Sequence, residues 1–407
     1  MKDQIAGLTG APPTHGAWWS RIVAAMSAVA IGVTSLLAFA PVAQAASGLP
    51  ALPLSTDGSD IVDANGDTVV LQGVNWFGFE TANHVPHGLW SRDYREMLRQ
   101  IKVQGFNTIR LPFSLEAVRS ADTSGIDYAN GRNAALRGKT PLEVMDILVA
   151  EAGRQGLMII LDNHSQADDG FMYPLWFGQD GFTERDWIST WRQLADRFDD
   201  NPNVIAADLK NEPHGSATWG TGGATDWRRA AEVAGAAVQA VNPDLLIIVE
   251  GIEGPVAGGK LDVHWWGGNL EGVRSAPVRL PVPNKLVYSP HEYGPGVFAQ
   301  PWFSDPKMTS ILTHRWETGF GYIHTQGIAP LLIGEFGAKN VGTDTVEGRW
   351  INQFTDYLGR TGISWTFWSW NPNSGDTGGI LTDDWTTVHR DKMGLLSALM
   401  DRQSGAI

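Results

Sequence analysis

The strongest constraint on how this chain can fold is a rhythm. From residue 47 to residue 407, short β-branched or apolar runs alternate with stretches of helical period. The runs lie at 69–74, 108–111, 157–162, 205–209, 245–250, 286–289, 331–335 and 364–368. Short continuous apolar runs suit strands buried on both faces, and the stretches between them carry single apolar stripes. In one stretch Leu142, Met145, Val149 and Ala152 recur at helical spacing, and in another Trp187, Trp191, Leu194 and Phe198 do so. Gly105, Gly156, Asn242-Pro243 and Gly362 are stop signals for these helices. Strands alternating with helices over this length predict an α/β fold, a single (β/α)8 TIM barrel. A doubly wound open sheet is the alternative, but no G-x-G-x-x-G follows the first run. Ahead of that run, residues 61–64 and 68–71 flank Asn65-Gly66, which predicts a β-hairpin closing the bottom of the barrel.

No Ser/Thr/Pro-rich linker and no charge block interrupts residues 47–407, so they form one domain. Residues 1–45 read as a secretory signal. An uncharged stretch at 22–40 follows Arg21, and Ala43-Gln44-Ala45 has the small-x-small form of a cleavage site. An uncleaved anchor is the alternative, since such a stretch can just span a bilayer. The expected mature chain is secreted and extracellular, with no stable membrane association, and acts as a monomer. A net charge of −14 disfavours nucleic acid as a partner. The absence of Cys removes disulfides, a thiol nucleophile and Cys-ligated metal. Asp63-x-Asn65-x-Asp67 starts like a calcium loop, yet Thr68 and Val74 stand where that loop needs Gly and Glu. No metal and no cofactor is therefore expected. Trp occurs 18 times, which suits either a large core or flat platforms for sugar rings.

In a barrel of this kind the chemistry sits at the carboxyl ends of the strands. Polar and aromatic residues gather there: Arg110, then Asp162-Asn163-His164, Asn211-Glu212-Pro213, His291-Glu292-Tyr293, Gly334-Glu335-Phe336-Gly337, and Trp368. Glu212 and Glu335 end the fourth and seventh runs, on opposite sides of the mouth. Two carboxyl groups facing each other across one sugar are what glycoside hydrolysis with retention requires: one as nucleophile, one as acid and then base. A nucleophile must stay ionised, which Arg110 and Tyr293 can secure; an acid must hold its proton. His164 and His291 can line the sugar site, and Asn211 can donate to the sugar 2-hydroxyl. Pro213 is expected to keep Glu212 extended. Gly334 and Gly337 permit close approach to Glu335.

These residues resemble glycoside hydrolase family 5. The likeness rests on Arg110, His164, Asn211-Glu212-Pro213, His291-x-Tyr293, Glu335 within Gly-Glu-Phe-Gly, and Trp368. Residues 265–295 and 74–78 are similar to the cellulase branch in particular. The resemblance implies a (β/α)8 barrel, net retention, Glu212 as acid/base and Glu335 as nucleophile. It also implies Trp368 as the floor of the subsite before the cut bond, and a cis peptide between Trp368 and Ser369. Trp76 joins the substrate-binding set, although Trp76, Trp265, Trp266 and Trp302 can each stack on sugar or simply pack. The implied partner is a β-1,4-linked glucan such as cellulose, cut internally. Mannan, xylan and xyloglucan remain open, because both carboxyl groups act at the anomeric carbon alone. A non-catalytic carbohydrate-binding barrel is the remaining alternative.

Overall fold

The computed structural model describes residues 48–405; the signal expected at 1–45 lies outside them. Among the described residues no helix is long and apolar enough to cross a membrane.

The chain opens with two short antiparallel strands, β1 (Ser55–Asp57) and β2 (Asp60–Val62). Eight parallel strands follow: β3 (Gln72–Asn75), β4 (Thr108–Ser114), β5 (Met158–Ser165), β6 (Val204–Asp208), β7 (Leu246–Glu250), β8 (Leu286–Ser289), β9 (Leu332–Ile333) and β10 (Ser364–Phe367). They pair in the spatial order β8-β7-β6-β5-β4-β3-β10-β9. The ring closes where Tyr288 bridges to Leu331 and His291 to Glu335. The result is a (β/α)8 barrel. Between and after the strands lie α1 (Tyr94–Val103), α2 (Leu115–Arg119), α3 (Pro141–Arg154), α4 (Glu184–Arg197), α5 (Trp227–Gln239), α6 (Met308–Trp316), α7 (Tyr322–Thr325), α8 (Val346–Thr361) and α9 (Arg390–Gln403). Strand β9 is shorter than expected for a physical reason. The Gly334 carbonyl turns to side chains instead of a ladder, accepting from Asn75 Nδ2 at 3.0 Å and Thr366 Oγ1 at 2.5 Å.

The hairpin differs from the expected one. The regular pair is β1–β2, joined at Gly58, while the Asn65-Gly66 turn adds only one bridge, Val62 to Thr68. The Asp63 carboxylate explains this, since it accepts from the backbone N–H of Asn65 at 2.8 Å and of Asp67 at 3.1 Å. That local turn competes with a longer ladder. The hairpin still plugs the barrel. Leu54, Ile61 and Leu71 pack against Met158, Ile160, Ile205, Leu246, Ile248, Val287 and Leu332, an apolar layer filling the lower barrel.

Outside the strands, the helices lay apolar faces on the sheet. Helix α3 buries Val144, Met145, Leu148, Val149 and Ala152, a stripe shifted slightly from the predicted one, with Leu142 at its margin. Among the described residues nine Trp side chains are almost wholly buried, so much of the Trp excess is core. Helix α3 begins with a capping box. Thr140 Oγ1 accepts from Glu143 N at 3.3 Å, and Glu143 Oε2 accepts from Thr140 N at 2.9 Å. Thr140→Ala should therefore cost about 1 kcal/mol of stability. The expected reading is a lower urea midpoint with an unchanged slope and unchanged activity at 25 °C.

Candidate active site

The upper half of the barrel is ionic. Strand β4 alternates its side chains, and that alternation sends Arg110 inward, where it is 0 % exposed. A buried guanidinium must find acceptors for all of its N–H groups. Nε meets Asp208 Oδ2 at 2.8 Å. Nη1 donates to Asn75 Oδ1 at 3.0 Å and Glu335 Oε1 at 2.8 Å. Nη2 donates to Asn211 Oδ1 at 2.8 Å and Glu250 Oε1 at 3.2 Å, and lies 3.1 Å from Asp162 Oδ1. Burial pushes Asp162 and Asp208 up to about 6, against the pull of Arg110.

Glu335 stands at the end of β9 and is nearly buried. Arg110 holds one of its oxygens, and Tyr293 donates its hydroxyl to the other at 2.6 Å. Burial and the Glu335 charge both hold the Tyr293 hydroxyl well above its ordinary range, so it remains a donor. Gly337 is required by the backbone next door: a Cβ there would lie 2.1 Å from the Trp368 carbonyl. Across the mouth, Glu212 follows β6. Its carboxylate receives a hydrogen bond from His291 Nδ1 at 3.0 Å. Burial raises the Glu212 carboxyl; the His291 hydrogen bond opposes that rise, and the Glu335 charge adds to it. Oxygens of Glu212 and Glu335 and a ring nitrogen of His291 all lie within 4.8 Å of one another.

The backbone at Glu212 overturns one expectation. Its φ is +50°, in the left-handed region, and the chain there is not extended. Proline disfavours only the right-handed helical region for the residue before it. The left-handed conformation costs about 1–2 kcal/mol, offset in part by a 2.7 Å hydrogen bond from Glu212 N to Glu250 Oε2.

A cleft of about 640 Å³ exposes the two carboxyl groups together with His164, Tyr293 and Trp368. Trp368 is half-buried, its peptide to Ser369 is cis, and its indole lies parallel to the rings of His164 and Phe77, each at 5.3 Å. With its proton on Nδ1, His164 donates to Asp162 Oδ2 at 2.8 Å; burial drops its pKa to about 3, so the ring is neutral. Arg110, Asn211 and His291 lie behind the cleft wall, each 0 % exposed. His291 is therefore not a sugar-lining group but a donor to Glu212. Burial works against its charge, yet the Glu250 and Glu335 carboxylates outweigh it and hold His291 well above the ordinary His range.

Trp76 is a second correction. It is 1 % exposed, and its Nε1 donates to the His87 carbonyl at 2.9 Å, so it packs in the wall outside the cleft. Strand alternation turns its neighbour Phe77 toward the cleft instead. Trp265 and Trp266 do line the cleft, Trp266 stacked on His214 at 3.7 Å. Trp302 lies under the Arg315 guanidinium, away from it. Sequence reasoning missed Phe77, Asp208 and Glu250. The signal was present for two of them: a charged residue at the end of an otherwise apolar run. A metal suits neither acidic group here. Arg110 already places a cation among Asp162, Asp208 and Glu250, and His291 Nδ1 is spent on its hydrogen bond to Glu212.

The comparisons with known proteins agree with this architecture. The family model for cellulase (glycosyl hydrolase family 5) matches residues 62–374. The chain is 50 % identical over 347 residues to an endoglucanase of Paenibacillus polymyxa, covering 85 % of this chain and 86 % of that one. It is 46 % identical over 371 residues to the major extracellular endoglucanase of Xanthomonas campestris pv. campestris, covering 90 % of this chain and 75 % of the other. Among solved structures, an endocellulase of Pyrococcus horikoshii in complex with cellotetraose superposes with a TM-score of 0.80 at 42 % identity, covering 87 % of this chain and 100 % of that one. With a barrel of this topology, two facing carboxyl groups at its mouth and a family match across most of its length, the chain belongs to the cellulases of glycosyl hydrolase family 5.

Proposed function

We propose that this chain is an endo-β-1,4-glucanase that hydrolyses internal bonds of cellulose and related β-glucans with net retention. The observation that carries the mechanism is the closeness of the Glu212 and Glu335 oxygens, within 4.8 Å, in an open cleft. Retaining enzymes hold their carboxyl groups about 5–5.5 Å apart, whereas inverting ones need roughly 6.5–9.5 Å to fit a water. Glu335 then acts as nucleophile. Arg110 and Tyr293 aim its two oxygens, and its attack on the anomeric carbon forms a glycosyl ester. Glu212, whose carboxyl pKa burial raises, gives its proton to the departing oxygen. It next takes a proton from the water that breaks the ester. Trp368 offers the flat floor, and Asn211, behind the cleft wall, helps hold the Arg110 guanidinium through its Oδ1 at 2.8 Å.

The substrate class follows the relatives, named as endoglucanases, and the neighbour crystallised with cellotetraose. The same reading includes export. Residues 1–45 act as a leader cleaved near Ala45, in keeping with a relative named as extracellular. The mature chain works as a monomer on the polysaccharide.

Residues 47–407 should be incubated with carboxymethylcellulose and, separately, with β-mannan, following viscosity and reducing ends together. The expected result is a fast viscosity drop with few new ends on the glucan alone. Cleavage of mannan with none of the glucan would overturn the substrate assignment.

A further inference from the structure

We propose that Glu250, at the end of β7, is a positioning residue that sets both the backbone and the carboxyl of Glu212. The inference rests on the reading of Glu212 as acid/base and adds a residue to it.

The geometry is a clamp. Glu250 is 0 % exposed and does not touch the cleft. Its Oε2 accepts from Glu212 N at 2.7 Å, at the residue that takes the left-handed conformation. Its Oε1 faces His291 Nε2 at 3.2 Å, and the opposite nitrogen of that ring donates to Glu212 Oε1 at 3.0 Å. One carboxylate thus acts on Glu212 twice, by a hydrogen bond to its backbone and by a charge contact with the imidazole that donates to its side chain. The same Oε1 receives Arg110 Nη2 at 3.2 Å, which ties the clamp to the guanidinium that holds Glu335. Glu250 is itself well anchored, since its carbonyl accepts from Trp227 Nε1 at 2.8 Å. Gly267 seats against it, where an added Cβ would lie 2.2 Å from Glu250 Oε2 and 3.2 Å from Glu212 Cα. The neighbours of both oxygens are donors. A Gln at this position can satisfy the Glu212 N–H or the His291 and Arg110 side, but its amide N–H2 must then meet donors.

A misplaced acid has a signature that a merely loosened fold lacks. It harms substrates whose leaving group needs a proton and spares those that leave as stable anions. The test compares Glu250→Gln with Glu212→Ala on cellotetraose and on an aryl β-cellobioside with a dinitrophenolate leaving group. For Glu250→Gln, kcat on cellotetraose should fall about 10²-fold with KM little changed, while kcat/KM on the aryl glycoside stays within about threefold. Equal losses on both substrates, or none on either, overturn the inference. Should Glu250→Gln not fold, Gly267→Ala displaces the same carboxylate. A split between the two substrates supports the clamp, and parallel losses overturn it. If Glu212→Ala shows the split and the Glu250 variant does not, this inference alone fails. If Glu212→Ala itself loses both substrates equally, the reading of Glu212 fails and this inference falls with it.

Discussion

Glu335→Gln should abolish turnover of soluble glucan, by about 10⁴-fold or more, while leaving the barrel folded. A loss of that size is roughly 5.5 kcal/mol of transition-state stabilisation, within the range seen when a covalent nucleophile is removed. The amide has the shape of the carboxylate, so packing is kept. Arg110 stays paired, because Asp208, Glu250, Asp162, Asn75 and Asn211 still surround it. The structural cost falls on one contact: the amide N–H2 must face either Arg110 Nη1 or the Tyr293 hydroxyl. Tyr293 can turn its proton elsewhere, so the thermal midpoint should move by only a few degrees. The check is kcat on carboxymethylcellulose beside a thermal melt. A variant that retains a tenth of wild-type turnover would remove Glu335 from the role of nucleophile.

Glu212→Ala should lose about 10²–10⁴-fold on cellulose chains and much less on an aryl glycoside whose leaving group needs no proton. The pH profile supplies a second reading. Glu212 must be protonated to act as acid, and its pKa is raised by burial and by the Glu335 charge beyond what His291 takes back. Rising pH removes that proton, so kcat/KM on glucan should fall along an alkaline limb placed above the ordinary Glu value of about 4.3. In Glu212→Ala acting on the aryl glycoside that limb should vanish. A limb that survives unchanged would belong to another group and would reassign the acid.

Much of this was legible in the sequence, for identifiable reasons. The barrel strands are buried on both faces over almost their whole length, so they are largely apolar, and a charged residue inside or just past such a run has to be explained by chemistry. Arg110, Glu212 and Glu335 stood out on that ground, and the barrel followed from the alternation. What stayed hidden depends on directions, which sequence spacing does not carry. Trp76 and Phe77 are adjacent aromatics, and only the pleat decides that Trp76 packs outward while Phe77 faces the cleft. Pro213 limits Glu212 to non-helical conformations, but the choice of the left-handed one is made by Glu250, 38 residues away in the chain. His291 looked like a sugar ligand because it ends a strand; the carboxylates on both sides of its ring make it a bridge instead. The hairpin was misplaced because the Asn65-Gly66 turn is real but Asp63 consumes the N–H groups that a ladder would use.

The barrel interior has two storeys. The lower one is a plug of Leu, Ile, Val and Met around Leu54, Ile61 and Leu71, and the upper one is the charge cluster around Arg110. They share strands yet divide the residues between them: on β5 to β7 the early inward positions belong to the plug and the last one to the cluster. Selection can therefore act on heat tolerance and on reaction chemistry as nearly separate traits. Volume-neutral exchanges in the plug adjust how hard the barrel is to melt, and no plug side chain lines the cleft. The cluster has no such freedom, since each of its members is the counter-charge of another. A lineage of such enzymes can migrate between cold and hot habitats by repacking its basement while the floor above stays the same.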